Sequence, residues 1–288
     1  MTIPGPKLKF ATLLLALAPL LALAAANPFA RVDTDADGEP RALQLAITSF
    51  VSSGDDSGTR VDLIAAIHIG DAAYYTELNH RFAGYDSLLY ELVAPAEGRV
   101  PEHLARRKGI LSGTQVGMTK LLGLTFQLDE IDYDRANFVH ADLTPDELKK
   151  SMAERNESLY VYFWRIFFAS VDEYAKDPLG LRDLETLSSV LQGRNDWPLK
   201  TMLAYEMTDL DAMRNLLGAD ADSAIIGARN QRAIEVLKAR LAAGDRHIGI
   251  FYGVAHMPDL EAKLAALGFV RTGTTWIDAW QLASATEH

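Results

Sequence analysis

The sequence predicts a mixed α/β fold: a central β-sheet from two pseudo-symmetric βαβ-like halves flanked by helices, with a helical insertion between the halves. Apolar runs of strand length alternate with stretches of helical periodicity, the pattern of a sheet layered with helices. The same strand–histidine–helix order also occurs twice, near the two ends of the chain. Val61 to Ile67 leads to His68, and Ile248 to Ala255 leads to His256. A third observation places the insertion, because residues 144–200 read as helical and interrupt the alternation.

The chain has 288 residues, enough for one large domain. Lys7 and Lys9 precede an apolar run from Phe10 to Ala26 broken only by Thr12 and Pro19, and Ala22, Ala24 and Ala26 offer small-residue cleavage positions. This is the layout of a secretory signal peptide over residues 1–26, with an uncleaved anchor as the alternative. It implies a periplasmic or secreted protein with no stable membrane span after cleavage. Loss of the two lysines leaves 26 basic against 39 acidic residues, a net charge of −13 in place of −11. Such a surface repels phosphate backbones and argues against nucleic acid as a partner. There is no cysteine, hence no disulfide framework and no thiolate metal site. Any metal is then held by nitrogen and oxygen, which suits Mn, Co, Zn or Fe.

Residues 27–40 read as a loose polar lead-in to a single domain over 41–288. Asp33 to Gly38 matches the first half of a calcium-binding loop, but Gln44 stands where the closing glutamate belongs, so a solvated loop is expected. Arg41 to Ser52 and Arg60 to Ile69, joined by residues 54–58, read as a β-hairpin. Asp71 is placed to cap a helix with Tyr74, Leu78 and Phe82 on its apolar face. Gly84 ends that helix, and Tyr85 to Val93 returns as a strand beside the first histidine strand.

Residues 99–124 read as a surface helix and Asn137 to His140 as a short strand. Thr144, Pro145 and Glu147 form a capping-box helix start. Within the insertion, Leu159 to Ala169 is apolar on every side except Arg165 and too short to span a membrane. It reads as a buried helix, with an aromatic lid or a homodimer surface as alternatives. Lys200 to Leu217 and Ser223 to Ala243 are further helices, ended by Gly218 and Gly244. Beyond the second histidine unit, Phe269 to Arg271, a turn at Gly273, and Thr274 to Leu282 read as a terminal hairpin.

A histidine just past an apolar strand and just before a helix sits at the carboxyl edge of an α/β sheet, where ligands collect. One such histidine is ordinarily structural; for two in equivalent settings, coincidence must act twice. Neutral imidazole is the commonest metal ligand. Glu91, directly after Leu88-Leu89-Tyr90, is poorly placed for solvation and needs a buried partner. Metal ligand, general base and salt-bridged acid are its open roles. Arg229 and Asn230 lie near the start of the helix feeding the second histidine strand, where Arg229 can fork onto a substrate carboxylate or onto Glu91 itself. His140, two residues before Asp142, is a further candidate ligand. His80 and His103 read as surface residues, and His247 carries no role.

The collinear set of strand-x-x-His68, strand-Glu91, Arg229-Asn230 and Gly253-Val-Ala-His256 resembles the TraB/GumN/Tiki family, which is related to the haem-binding ChaN and erythromycin-esterase-like groups. The resemblance runs from about Leu43 to Trp280. It implies paired Gly-x-x-His motifs and a strand-end glutamate around a divalent metal, Mn or Co. His68, Glu91 and His256, with His140 as an additional candidate, would be the ligands, and Glu91, Arg229 and Asn230 would serve catalysis. The implied activity is a metallopeptidase-like hydrolase acting on a peptide or small molecule. Other members serve in pheromone control or haem uptake, so the alternative is a non-catalytic periplasmic protein for a peptide or haem-like ligand. Two positions depart from the pattern: Ala65 replaces the first motif's glycine, and Ala228 replaces a glutamate common before Arg-Asn.

Overall fold

The computed structural model describes residues 27–54, 58–94, 123–155, 157, 197–209 and 223–282. The signal-like segment, most of the helix expected over 99–124, His103 and the apolar stretch Leu159 to Ala169 lie outside the described residues.

A mixed seven-stranded sheet with helices packed on it organises the described chain, as the alternation predicts. Strand β2 (Pro40–Ser52) is its spine. One side of β2 is lined first by β1 (Ala30–Thr34) and then by β3 (Arg60–Ala66), and its other side pairs with β9 (Phe269–Gln281), all antiparallel. From β3 onward the sheet is parallel, in the order β3, β8 (His247–Gly253), β5 (Ser87–Tyr90) and β7 (Phe138–His140). The central strands of this block are buried along nearly their whole length. That burial explains why they read as continuous apolar runs rather than alternating ones.

Helix α1 (Ala72–Phe82) buries Tyr74, Tyr75, Leu78 and Phe82, the expected stripe with one tyrosine added. The side-chain cap expected of Asp71 is not made. Its carboxylate instead takes the buried Lys200 ammonium at 3.1 Å and the Gln281 N–H at 2.6 Å, tying three distant segments together. The capping box at Thr144 and Glu147 does form and starts α3 (Pro145–Glu154), which follows the short α2 (Gln127–Glu130). Helix α4 (Trp197–Thr208) packs on β1 and β2, α5 (Arg229–Ala243) on β5, and α6 (Met257–Ala266) on β3 and β9. Gly244 ends α5 with φ of 107°, a conformation glycine adopts without strain.

Three expectations are corrected. The strand leading to Glu91 does not run beside the first histidine strand, because β8 lies between them. The α1 crossover skips one strand position, and only a distant part of the chain can fill it. Gly249 helps β8 fit there, since a Cβ on it would come within 2.6 Å of Leu88 Cδ1. The terminal hairpin is instead one 13-residue strand. Gly273 faces Ser49 and Arg271 faces Phe50, so Thr272 is accommodated as a bulge where a turn was expected. Finally, residues 27–40 are not a loose lead-in: Ala30–Thr34 is strand β1, with Phe29 and Ala30 buried, and the calcium-like stretch is the solvated loop expected, closing the β1–β2 hairpin. Asp33 pairs with Arg41, and the Asp35 carboxylate accepts the N–H groups of Asp37 and Glu39.

Candidate functional site

Parallel strands share one carboxyl edge, and there the chain leaves β3 for His68, β5 for Glu91, β7 for Asp142 and β8 for His256. A single 3₁₀ turn (Val254–His256) carries the chain from β8 into α6 and leaves His256 only 4% exposed. Arg229 and Asn230 follow a π-helical turn (Ala224–Ala228) that starts at a Ser223 side-chain cap. Such turns shift the facing of a helix and recur at functional sites.

Four of the predicted residues meet. The Arg229 guanidinium forks onto Asp142, with Nε to Oδ1 at 2.9 Å and Nη2 to Oδ2 at 2.5 Å, and Nη2 also reaches Glu91 Oε1 at 2.8 Å. Glu91 Oε2 accepts the Gly253 N–H at 2.6 Å. Gly253 permits this close approach, since a Cβ there would lie 3.2 Å from the same oxygen. His256 Nε2 stands 3.6 Å from Glu91 Oε1.

Asn230, fully buried, decides which nitrogen of His256 carries the proton. Its Nδ2 donates to the His256 carbonyl at 3.2 Å and to Asp259 Oδ2 at 2.8 Å, both acceptors, which fixes the amide's orientation. Its Oδ1 therefore faces His256 Nδ1, at 2.6 Å, as an acceptor. Nδ1 must donate, and in the neutral ring Nε2 presents a bare lone pair toward Glu91. A partner that fixes the far nitrogen of an imidazole is characteristic of ligating histidines.

The charges support that assignment. Burial pushes the His256 pKa down from 6.5 to about 4, with Arg229 adding to the depression against Glu91, Asp142 and Asp259. The ring is neutral at pH 7. Burial alone would raise the Glu91 pKa, but His256, Arg229, the Gly253 N–H and His68 more than offset it and hold the carboxyl at about 2. Burial opposes the Arg229 charge, yet Glu91 and Asp142 raise its pKa overall. A buried guanidinium between two carboxylates is thus a charged, hydrogen-bonded unit.

The remaining histidines differ. His68 is exposed, and its ring has no hydrogen-bond partner among the described residues. His140 directs Nε2 to the Leu92 carbonyl at 2.6 Å, which commits that nitrogen as a donor and leaves only Nδ1. His80 is exposed on α1, as expected. His247 lies at the opposite end of the parallel strands, between the Gly84 carbonyl and Asp62. Among the described residues, no three His, Asp or Glu side chains stand close enough to form a ready-made metal cage.

Two partners were missed as such. Asp142 follows an apolar strand just as Glu91 does, and that signal was available. Asp259, which anchors Asn230 and is itself held by Lys263 at 2.9 Å, follows His256 by three residues and gave no signal of its own. No protein-family model, curated protein or solved structure matched the chain when compared with it.

Proposed function

We propose that this edge is a metal-dependent hydrolytic site of peptidase type, in a secreted or periplasmic domain of the TraB/GumN/Tiki kind. The observation that carries the reading is the bare Nε2 of His256, set by Asn230 and lying 3.6 Å from a carboxylate oxygen. Two donors of a nitrogen and oxygen sphere stand together, His256 Nε2 and Glu91, and the exposed ring of His68 lies on the same edge without completing a three-residue cage. A divalent ion supplies polarisation of a scissile carbonyl and a more acidic water.

The chain's own groups take separate roles. Glu91, with a pKa of about 2, is a weak proton acceptor at neutral pH, which favours a ligand or electrostatic role over that of general base. Arg229 is committed to Asp142 and Glu91, so it positions the Glu91 carboxylate. Asn230 holds the His256 ring and its tautomer.

The second reading, a non-catalytic binder of a peptide or haem-like ligand, is favoured by one observation. Both Glu91 oxygens already accept hydrogen bonds within the protein.

Metal analysis of the purified protein, followed by Mn and Co titration and assay on a peptide panel, tests the proposal. One equivalent of metal and metal-dependent peptide cleavage are expected. Asn230→Ala should weaken metal affinity roughly 10- to 100-fold, as loss of an outer-shell partner does. Haem or peptide binding without metal retention or cleavage would establish the second reading instead.

A further inference from the structure

The carboxyl edge of the parallel strands bears the candidate site and, just past His68, a two-stranded ladder of β4 (Ile69–Gly70) with β6 (Thr125–Phe126). The opposite, amino edge carries a pocket that the hydrolytic reading leaves unused. It opens where β2 ends, β8 and β9 begin, and α5 and α6 finish, and its volume is about 370 Å³. Strand β3, seven residues long, sets it roughly 20 Å from the histidine edge.

Two chemistries line this pocket. Leu241, Leu267 and Phe269 give it an apolar side continuous with the core. Lys238 and Arg246 line it too, with Ser52, and no carboxylate among the described residues does. In a chain with 39 acidic against 28 basic residues, cations readily find acidic partners, as Arg41, Arg60, Arg81 and Arg240 do. Lys238 has no partner among the described residues. Arg246 spends Nη1 on the carbonyls of Leu241 and Asp245, at 3.5 and 3.0 Å, and its Nε–Nη2 edge is without a partner among the described residues. Neighbouring carboxylates are already engaged: Asp245 takes Arg240 and the Ser87 hydroxyl, and Asp86 takes the N–H groups of Arg246 and His247.

We propose that this pocket binds a small organic carboxylate with a compact apolar body, its head on Arg246 and Lys238 and its body on Leu241, Leu267 and Phe269. The Nε–Nη2 edge of a guanidinium offers two parallel N–H groups, the fork that matches the two oxygens of a carboxylate. Lys238 adds a second positive charge as a point donor. The apolar side favours an anion carrying hydrocarbon over a bare inorganic one, because each Å² of apolar surface covered contributes about 25 cal/mol. The volume lies at the small end of ligand pockets, which limits the body to about one aromatic ring or a short branched chain. Neither the metal nor the hydrolytic chemistry proposed at the other edge is needed for this binding.

The test titrates 3-phenylpropionate into the purified, chelator-treated protein and follows the backbone amides by NMR. Chelation keeps the carboxylate from binding through a metal at the histidine edge. Saturable binding with a Kd of about 1 mM or tighter is expected, with shifts gathered at residues 238–246 and 267–269. Lys238→Gln and Arg246→Gln should each weaken it about three- to tenfold. Lys238→Gln removes a charge that has no partner among the described residues, and so guards against a folding defect in Arg246→Gln. The uncharged 3-phenylpropionamide, and acetate, which lacks the apolar body, should each bind at least about tenfold more weakly. Shifts centred on His68 and His256, or an affinity that both substitutions leave unchanged, would remove the pocket as the site. Amide binding as tight as the acid, or inorganic phosphate binding as tight as 3-phenylpropionate, would overturn the ligand class. No saturable binding overturns the proposal altogether. None of these outcomes bears on metal binding at the opposite edge, so the two proposals fail separately.

Discussion

Substituting His256 by glutamine should remove a specific acid sensitivity from the metal-free protein. His256 is buried, and its folded pKa of about 4 lies below the 6.5 of the unfolded chain. Between those values the unfolded chain takes up a proton that the folded ring refuses, so acid favours unfolding. Linkage over pH 7 to pH 5 gives a loss of about 2 kcal/mol from this one group. Glu91 acts in the same direction at lower pH. Its stabilisation is complete above the unfolded value of 4.5 and is lost as pH falls toward about 2. The interval from pH 7 to pH 5 therefore isolates the histidine.

Urea unfolding of chelator-treated wild type and His256→Gln at the two pH values measures the difference directly. The variant should lose about 2 kcal/mol less than wild type on acidification. Parallel losses would mean that the imidazole is already protonated, or is solvated, in the folded protein. The assignment of a bare Nε2 would then fail.

Other consequences follow from the same contacts. Asp142→Ala leaves the Arg229 guanidinium, whose side chain is 11% exposed, with Glu91 as its remaining carboxylate and should cost about 1–3 kcal/mol in urea unfolding. Arg229→Met, which leaves both the Glu91 and Asp142 carboxylates buried without their cation, should cost more, about 3–5 kcal/mol; a smaller cost than Asp142→Ala would deny that the three charges form one unit. Gly253→Ala places a Cβ 3.2 Å from Glu91 Oε2 and should impair metal retention more than thermal stability. Gly249→Ala meets Leu88 Cδ1 at 2.6 Å and should lower stability by about 1–3 kcal/mol with site chemistry intact, read by thermal unfolding and metal titration together.

The parallel block was legible because its strands are buried on both faces, so β3, β5 and β8 stand out as apolar runs. The ends of those runs named His68, Glu91 and His256 for the same reason. Strand order was not legible. Whether β8 or β3 adjoins β5 is decided by crossovers between segments more than 150 residues apart, which no local pattern records. Gly273 misled because a glycine between polar residues fits a turn and a bulge alike, and only pairing with β2 distinguishes them. Arg229 was placed correctly, but its commitment to Asp142 depends on β7 adjoining β5.

The account turns on which nitrogen of His256 bears the proton. Nitrogen-15 NMR of the histidine rings in the metal-free protein at pH 7 measures it, and titration with zinc, a diamagnetic ion, shows whether the free nitrogen binds metal. The account predicts a protonated Nδ1 and a bare Nε2, with the Nε2 resonance moving on metal addition while Nδ1 keeps its proton to Asn230. A proton on Nε2, or an Nε2 resonance indifferent to metal, would contradict it.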